Sequence, residues 1–307
     1  MHAAPITPLD LLCASGTSYF GTPATPYVPG VQGVGVVEVG TAAIPAGTPV
    51  WFATPAGMRP GDGSMRARAT VPEADAVPLP AGADLVQVAA LGLSAVAAWM
   101  ALTWRGGLAA GEHVLVLGAG GIVGQSGVQL ARAAGARVWS RPRGRRSPAT
   151  ARSAESRAAR SGSLGAVVAL DPATDTVDGL AERMQAACDG PADLVLDPLF
   201  GVPAAAALRT LRPGGRLVNL GSSAGETAPI DSSTLRSRSL RVLGYTNNEL
   251  TPDLRREALT RVVEEAVAGR LTVAHEPVPL ADAAQAWTRQ AEGRATGRIV
   301  LRPQAST

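Results

Sequence analysis

The sequence predicts an α/β protein in which a parallel, doubly wound sheet is covered on both faces by helices, with a smaller antiparallel β region on either side of it in the chain. Three observations carry this. From residue 113 short β-rich runs alternate with helical runs, a glycine-rich turn follows the first of those runs, and outside the block the texture changes to turn-rich segments with short alternations. The chain has 307 residues, 46% of them hydrophobic and 17% charged, enough to bury a sizeable core in two domains.

Residues 1–88 are rich in Pro, Gly, Thr and Val, with alternating runs such as "GVGVVEVG", and predict a small antiparallel β domain. The uncharged stretch "LVQVAALGLSAVAAWMAL", residues 85 to 102, is long enough to span a bilayer. It is mostly Ala, with Gln87, Gly92 and Ser94 inside, and is expected to form two short buried helices instead. Six strands follow: "HVLVLG" (113–118), "ARVW" (136–139), "AVVAL" (166–170), "DLVLD" (193–197), "GRLVNLG" (215–221) and "LRVLGY" (240–245). Between them lie helical stretches such as "GQSGVQLARAAG" and "PAAAALRTLRPGG", the second ending in a Pro-Gly-Gly stop signal. The tail reads strand ("HEPVPL"), helix ("ADAAQAWTRQAEG") and strand ("GRIVLRP"). The expected division is 1–88, 89–270 for the nucleotide-binding block, and 271–307 returning to the first domain. Six strands is the number in a doubly wound dinucleotide fold.

Composition excludes several functions. Net charge is +3, but residues 141 to 160 hold seven Arg and one Glu, so the basicity is local. Without a basic face interleaved with aromatics, no nucleic-acid partner is expected. Cys13 and Cys188 make neither a disulfide framework nor a metal cluster, and a reduced cytoplasm fits. "MHAAPITPLD" does not read as a signal peptide, and no membrane partner is expected. All the basic residues are Arg, which reflects a GC-rich coding sequence more than any functional demand.

"VLVLGAGGIVGQSGVQLARAAGARV" places a turn of Gly118, Ala119, Gly120 and Gly121, continuing through Ile122, Val123 and Gly124, directly after an apolar strand and before an amphipathic helix. Glycines permit the tight turn, let backbone approach a pyrophosphate, and allow the helix to pack on the strand, while the helix N-terminus supplies free N–H groups and positive dipole. The spacing is G-x-x-G-x-x-G, with Val123 where the commoner pattern has its third glycine. A dinucleotide site is expected; a methyltransferase binding an adenosyl cofactor is the structural competitor.

With these residues in place the chain resembles the zinc-independent medium-chain dehydrogenases/reductases of the quinone oxidoreductase and enoyl reductase branch. The resemblance is carried by "APITPLDLLCASG" (4–16), "YVPGVQGVGVVEVG" (27–40), the glycine segment (116–138), "LRPGGRLVNLGSSAG" (211–225) and "ATGRIVL" (295–301), in order along nearly the whole chain. It implies a Rossmann-type domain with a GroES-like antiparallel β domain, and NADPH-dependent hydride transfer to a quinone or a conjugated enone or enal. It further implies a homodimer paired through the edge strand "SLRVLGYT". Zinc members carry a His-Glu pair after the glycine of a "P-G-x-x-G" turn, where this chain has Val31 and Gln32; His2, His113 and His275 are scattered, and no metal is expected. Thr7 stands where the family commonly has Asn and is expected to donate one hydrogen bond to a substrate oxygen. The family opens with a β hairpin before this motif and this chain begins almost on it, so either the start codon is misassigned or the barrel is incomplete.

Enzymes that use NAD end the second strand with Asp or Glu, and no acid occurs between Val138 and Ala154. Ser140, Arg141 and Arg143 are expected to hold the 2′-phosphate of NADPH instead. The remaining arginines exceed what one phosphate needs. They form either a basic loop at the cofactor mouth or a local frame disturbance in the gene.

The resemblance also places Ser94 near the nicotinamide ribose, Asn219, Gly221 and Ser222 under the ring, and "GYTNNE", with Tyr245 and Asn247, beside the substrate in a cleft between the domains. Tyr19 is the candidate proton donor after hydride addition, although a quinone can take its proton from water. Asp197 is expected to cap the turn after the fourth strand. Binding of NADPH without turnover remains the alternative.

Overall fold

The structure, a computed structural model, describes residues 1–139, 168, 170–171 and 173–303. It divides into two compact units, Met1–Leu93 with Thr251–Thr307, and Ser94–Leu250. In chain order the strands are β1 (Ala4–Pro5), β2 (Gln32–Val36), β3 (Pro49–Ala53), β4 (Ala76–Pro78), β5 (His113–Val116), β6 (Arg137–Val138), β7 (Ala192–Asp197), β8 (Leu211–Asn219), β9 (Arg241–Gly244), β10 (His275–Pro279) and β11 (Arg298–Arg302).

In the first unit β2, β3 and β4 form an antiparallel sheet, and β11 lies between β1, antiparallel to it, and β10, parallel to it. The tail forms strand, helix (Ala283–Ala291) and strand, as its periodicity indicated. Helix Pro252–Val267, which the sequence reading placed with the nucleotide-binding block, has its contacts in this first unit, where Arg255 pairs with Asp75 at 2.9 Å. Thr-Pro starts recur: Thr7 and Thr251 each cap a helix whose first residue is proline, satisfying an N–H that the helix leaves unpaired.

The second unit holds five described parallel strands in the order β6-β5-β7-β8-β9. The expected strand 166–170 falls largely outside the described residues. The chain leaves β5 toward β6 on one side and β7 on the other, so the topological switch point lies between β5 and β7, at the carboxyl ends of the strands. Leu194, Val195, Leu196, Leu217 and Val218 are completely buried, which is why β7 and β8 read as continuous apolar runs. One boundary differs from expectation. Pro213-Gly214-Gly215 does not separate helix from strand but lies inside β8, where the pairing shifts register between Ala192 and Leu194 and Gly214 takes φ 74. The helix has already ended at Leu208.

Leu85–Arg105 is long and apolar enough to cross a membrane, with a mean hydropathy of 1.9, and 67% of that window is buried in the fold. Gly92 interrupts it with φ 32 and ψ −133, giving two short helical pieces as expected. The Leu93 N–H, released by the break, donates to Gln32 Oε1 at 2.6 Å.

Candidate functional site

The glycine turn is built at the end of β5. Gly118 takes φ +64, its carbonyl accepts from Gly121 N at 2.9 Å, and Gly121 caps helix Ile122–Ala133 with φ −84 and ψ 166. The first intrahelical bond runs from Gln125 N to Gly121 O at 2.9 Å, so the N–H groups of Ile122, Val123 and Gly124 precede it and point out of the helix end. A Cβ on Gly124 would lie 2.6 Å from Ala119 Cα, and one on Gly127 would overlap Leu196. Close packing therefore falls to these two glycines, and Val123 is accommodated because Gly124 and Gly127 serve in its place. A Cβ on Gly121 would meet only Gly118 O, at 3.5 Å, leaving its face open. Gln125 Nε2 braces the turn by donating to Gly120 O at 3.0 Å. An open glycine face before the outward helix-end amides suits a pyrophosphate. Ser140, Arg141 and Arg143, expected at the 2′-phosphate, lie outside the described residues.

Across the switch point the chain leaves β7 through Asp197, Pro198, Leu199 and Phe200. A Cβ on Gly118 would meet Leu199 Cδ2 at 3.1 Å and Pro198 Cγ at 3.2 Å, so this turn abuts the glycine turn. Asp197 is fully buried and does cap it: Oδ1 accepts from Leu199 N at 2.9 Å and Phe200 N at 2.8 Å, while Oδ2 accepts from Asn219 Nδ2 at 3.0 Å. Burial pushes the Asp197 carboxyl above its ordinary value, and these hydrogen bonds oppose the rise. Phe200 adopts φ 57 and ψ −155, a conformation comfortable only for glycine, at a cost of about 1–3 kcal/mol. Nothing in the run Leu-Phe-Gly signals this, and sequence reasoning missed Pro198, Leu199 and Phe200 as parts of the site. The Asp-Pro at a strand end beside a glycine turn was the available signal.

The residues expected near the nicotinamide gather at the carboxyl end of β8. Asn219 Nδ2 also donates to Gly221 O at 2.7 Å, a Cβ on Gly221 would meet Pro198 O at 2.8 Å, and Ser222 donates to Glu226. Tyr245 N donates to Asn219 O at 2.9 Å, and the Tyr245 hydroxyl to Asn247 Oδ1 at 2.7 Å, so the two expected substrate residues pair with one another. Ser94, half-buried, opens the second unit two residues after Gly92.

The zinc-binding dehydrogenase family model matches residues 164–301. Quinone oxidoreductase of Rattus norvegicus is 37% identical over 142 residues, 45% of this chain and 41% of that protein. Over part of its length the chain is thus similar to the zinc-binding dehydrogenase family and to quinone oxidoreductase. It is also similar to the spectinabilin polyketide synthase system protein NorB of Streptomyces orinoci, 32% identical over 231 residues, 73% of this chain and 10% of that protein. Both matches thus span less than half the length of these relatives. The fold, a Rossmann-type sheet with a GroES-like domain, is shared with the mycobacterial protein Rv1454c solved with NADPH, at TM-score 0.78 and 23% identity, covering 98% of this chain and 89% of that one.

Val31 and Gln32, which stand where the resemblance puts the His-Glu pair of zinc members, lie in the first unit. Val31 is apolar and buried, and the buried Gln32 spends its carbonyl oxygen on Trp51 Nε1 at 3.1 Å and Leu93 N at 2.6 Å. Among the described residues no group of three His, Cys, Asp or Glu side chains is placed to hold a metal ion. Thr7 departs from expectation. It is a buried helix cap whose single hydroxyl proton goes to Asp10 Oδ2 at 2.6 Å, so that proton is committed and not directed at a substrate oxygen. Asp10 Oδ2 also accepts from Thr7 N at 2.8 Å, and its Oδ1 accepts from Gly30 N and Val31 N at 3.1 and 2.9 Å. Burial raises the Asp10 carboxyl despite these bonds, and burial lowers the Arg298 guanidinium within its field to about 10. Sequence reasoning passed over Asp10, although Thr-Pro-Leu-Asp is a capping-box pattern. Tyr19, the candidate proton donor, is 78% exposed and its ring lies 4.4 Å from that of Phe20.

Proposed function

We propose that this chain is an NADPH-dependent oxidoreductase that passes hydride to a quinone or an α,β-unsaturated carbonyl without zinc. The observation that carries the reading is the glycine turn at the switch point, with its open Gly121 face and outward amides of Ile122, Val123 and Gly124. These residues would hold the pyrophosphate, and Asn219, Gly221 and Ser222 would lie under the nicotinamide. The bound cofactor supplies the hydride, and the protein's part is positioning and exclusion of water. The relatives named as quinone oxidoreductase and the NADPH complex of a similar fold support the choice of cofactor and acceptor class. Val31 and Gln32 support chemistry without zinc. Tyr19 is the proposed proton donor for acceptors that need one.

The test is a titration of the purified, dialysed protein with NADPH and NADH by fluorescence, followed by consumption at 340 nm against quinones, enals and enones, with and without chelator. We expect NADPH to bind at least tenfold tighter than NADH, about 1.4 kcal/mol, and activity to persist in chelator. Replacing Arg141 with Ala should erase much of the preference. Equal dissociation constants would refute the cofactor choice, and stoichiometric zinc with chelator-sensitive turnover the zinc-free chemistry.

A second reading, NADPH binding with little or no turnover, draws on the commitment of the Thr7 proton to Asp10. Enhanced NADPH fluorescence with no consumption by any acceptor in the panel would favour it.

A further inference from the structure

We propose that Gln32 Nε2 is the hydrogen-bond donor that holds the acceptor's carbonyl oxygen and stabilises the charge it gains on hydride addition, an inference that rests on the oxidoreductase reading above. The Gln32 side chain is fully buried. Its orientation is fixed, because Trp51 Nε1 and Leu93 N are both donors and both meet Oε1, at 3.1 and 2.6 Å. Nε2 therefore carries the two amide protons, and no acceptor among the described residues meets them. A buried donor without a partner is destabilising, and a fold that keeps one calls for an explanation in what it binds.

The fold is shaped to seat this amide. Helix Leu85–Met100 breaks at Gly92, and a Cβ there would lie 2.6 Å from Gln32 Nε2, so any other residue at 92 would displace the amide. The backbone is braced as well. Ser64 Oγ donates to the Gln32 carbonyl, and Asp10 Oδ1 holds the preceding N–H groups of Gly30 and Val31. What is held is an uncharged donor beside Val31 and Trp51, both apolar and buried, where an oxygen turning anionic gains most from a hydrogen bond. A carboxylate at 32 would repel such an oxygen.

The placement selects the ligand. The glycine turn, Asn219, Gly221 and Ser222, which suit the cofactor, belong to the second unit, whereas Gln32 belongs to the first, which leaves it the acceptor. A quinone or conjugated carbonyl offers a lone-pair oxygen and no proton, the complement of two unmet N–H groups. As an enal takes hydride from NADPH at its β-carbon, the C=C π pair moves into the bond to the carbonyl carbon and the C=O π pair onto oxygen. Nε2 holds that enolate oxygen until a proton from Tyr19 or water reaches the α-carbon.

The experiment compares the full-length protein with its Gln32→Glu variant, which keeps the side chain's length and an oxygen for Trp51 and Leu93 but donates nothing when ionised. NADPH affinity, and kcat and KM for menadione and cinnamaldehyde, are measured across pH. We expect NADPH affinity within twofold of wild type and kcat lower by at least tenfold at neutral pH, toward the roughly hundredfold cost of losing one oxyanion donor. The loss should shrink as pH falls from about 8 to about 5.5, since a buried carboxyl protonates above its usual range and then donates. A role in packing alone gives no such recovery. In isotope-labelled wild type followed by NMR, the Gln32 side-chain amide, recognised by its contact with the Trp51 indole proton, should shift downfield when menadione binds in the presence of NADP⁺. A loss in kcat below tenfold, one that pH does not relieve, or one traced to weaker NADPH binding would overturn the role and leave the oxidoreductase reading standing. Should Gln32→Glu not fold, a wild-type amide resonance unmoved by menadione would overturn it alone. A wild-type protein that binds NADPH yet reduces neither acceptor would overturn the turnover reading, and this role with it.

Discussion

Arg216 grips Glu112 with both arms of its guanidinium, Nη1 to Oε1 at 2.9 Å and Nη2 to Oε2 at 2.6 Å, and its remaining contacts close a buried clamp. Nε donates to Gly106 O, Nη2 to Gly107 O at 3.1 Å and Nη1 to Asp193 O at 3.2 Å, so one side chain ties the 106–112 loop to two strands. Burial works to raise the Glu112 carboxyl, but the hydrogen bonds from Arg216 and from Ala109 N hold it below its ordinary value. The Arg216 side chain is only 5% exposed. Replacing it with Met should destabilise the protein by about 3–5 kcal/mol, because Glu112 and three carbonyls lose their partner. Urea denaturation checks this, and a loss under about 1 kcal/mol, the scale of a solvated pair, would refute it.

The glycines of the nucleotide turn should separate by substitution. Gly124→Ala pushes a Cβ against Ala119 and should cost about 1–3 kcal/mol and weaken NADPH binding. Gly121→Ala, with its nearest neighbour at 3.5 Å and an ordinary φ of −84, should stay within about 1 kcal/mol of wild type. Urea midpoints and fluorescence titration decide it, and equal effects would contradict the division of roles.

Glu265 offers a pH dependence with a definite sign. Its side chain is 1% exposed and pairs with Arg270 at 2.6 Å and Arg261 at 2.7 Å. Hydrogen bonding from Arg270 holds the carboxyl below its usual value, burial opposing and the charges of Arg261 and Arg270 assisting. A carboxyl lowered in the folded state stabilises fully above its unfolded value, about 4.3, and loses that contribution as pH falls through the folded value. Glu265→Gln should therefore lower stability by about 1–2 kcal/mol at pH 7, discounted for the exposed arginines, and flatten the decline below about pH 4.3. Chemical denaturation at pH 7, 5, 4 and 3.5 measures both. An unchanged acid slope would count against the assignment.

Among the described residues strand β9 pairs only with β8, and its Val242 is 41% exposed. An open apolar edge invites a second copy, and two such edges can continue one sheet across a two-fold axis. We expect light scattering at micromolar concentration to give twice the chain mass, and Val242→Pro to lower the dimer's stability by removing a ladder donor. A single-chain mass, unaffected by the substitution, would rule the pairing out.

Much of the fold was legible because its signals are local. The alternation from His113 onward and the glycines at 118, 121 and 124 each act within a few residues. What escaped notice depends on partners distant in sequence. The Pro-Gly-Gly at 213–215 reads as a stop, yet Gly214 N donates to Arg238 O at 2.7 Å and the segment stays within β8. Thr7 reads as a substrate donor until Asp10 takes its proton. Phe200 is invisible to any propensity, since its conformation is imposed by Asp197 and the neighbouring Gly225 bridge.

The sheet of the second unit is made of two materials. At the foot, where strands begin, it is cross-braced by charge, through Arg216 to Glu112 and Arg212 to Asp193. At the rim, where they finish, it is assembled from glycine bends, a proline ring and amide contacts around one buried carboxylate, Asp197. A braced foot leaves the rim free to be redrafted. Exchanges among Pro198, Leu199, Phe200 or Ser222 alter what is held there while the brace below keeps the strands in register. New specificities can therefore arise at one end of this scaffold without endangering the other.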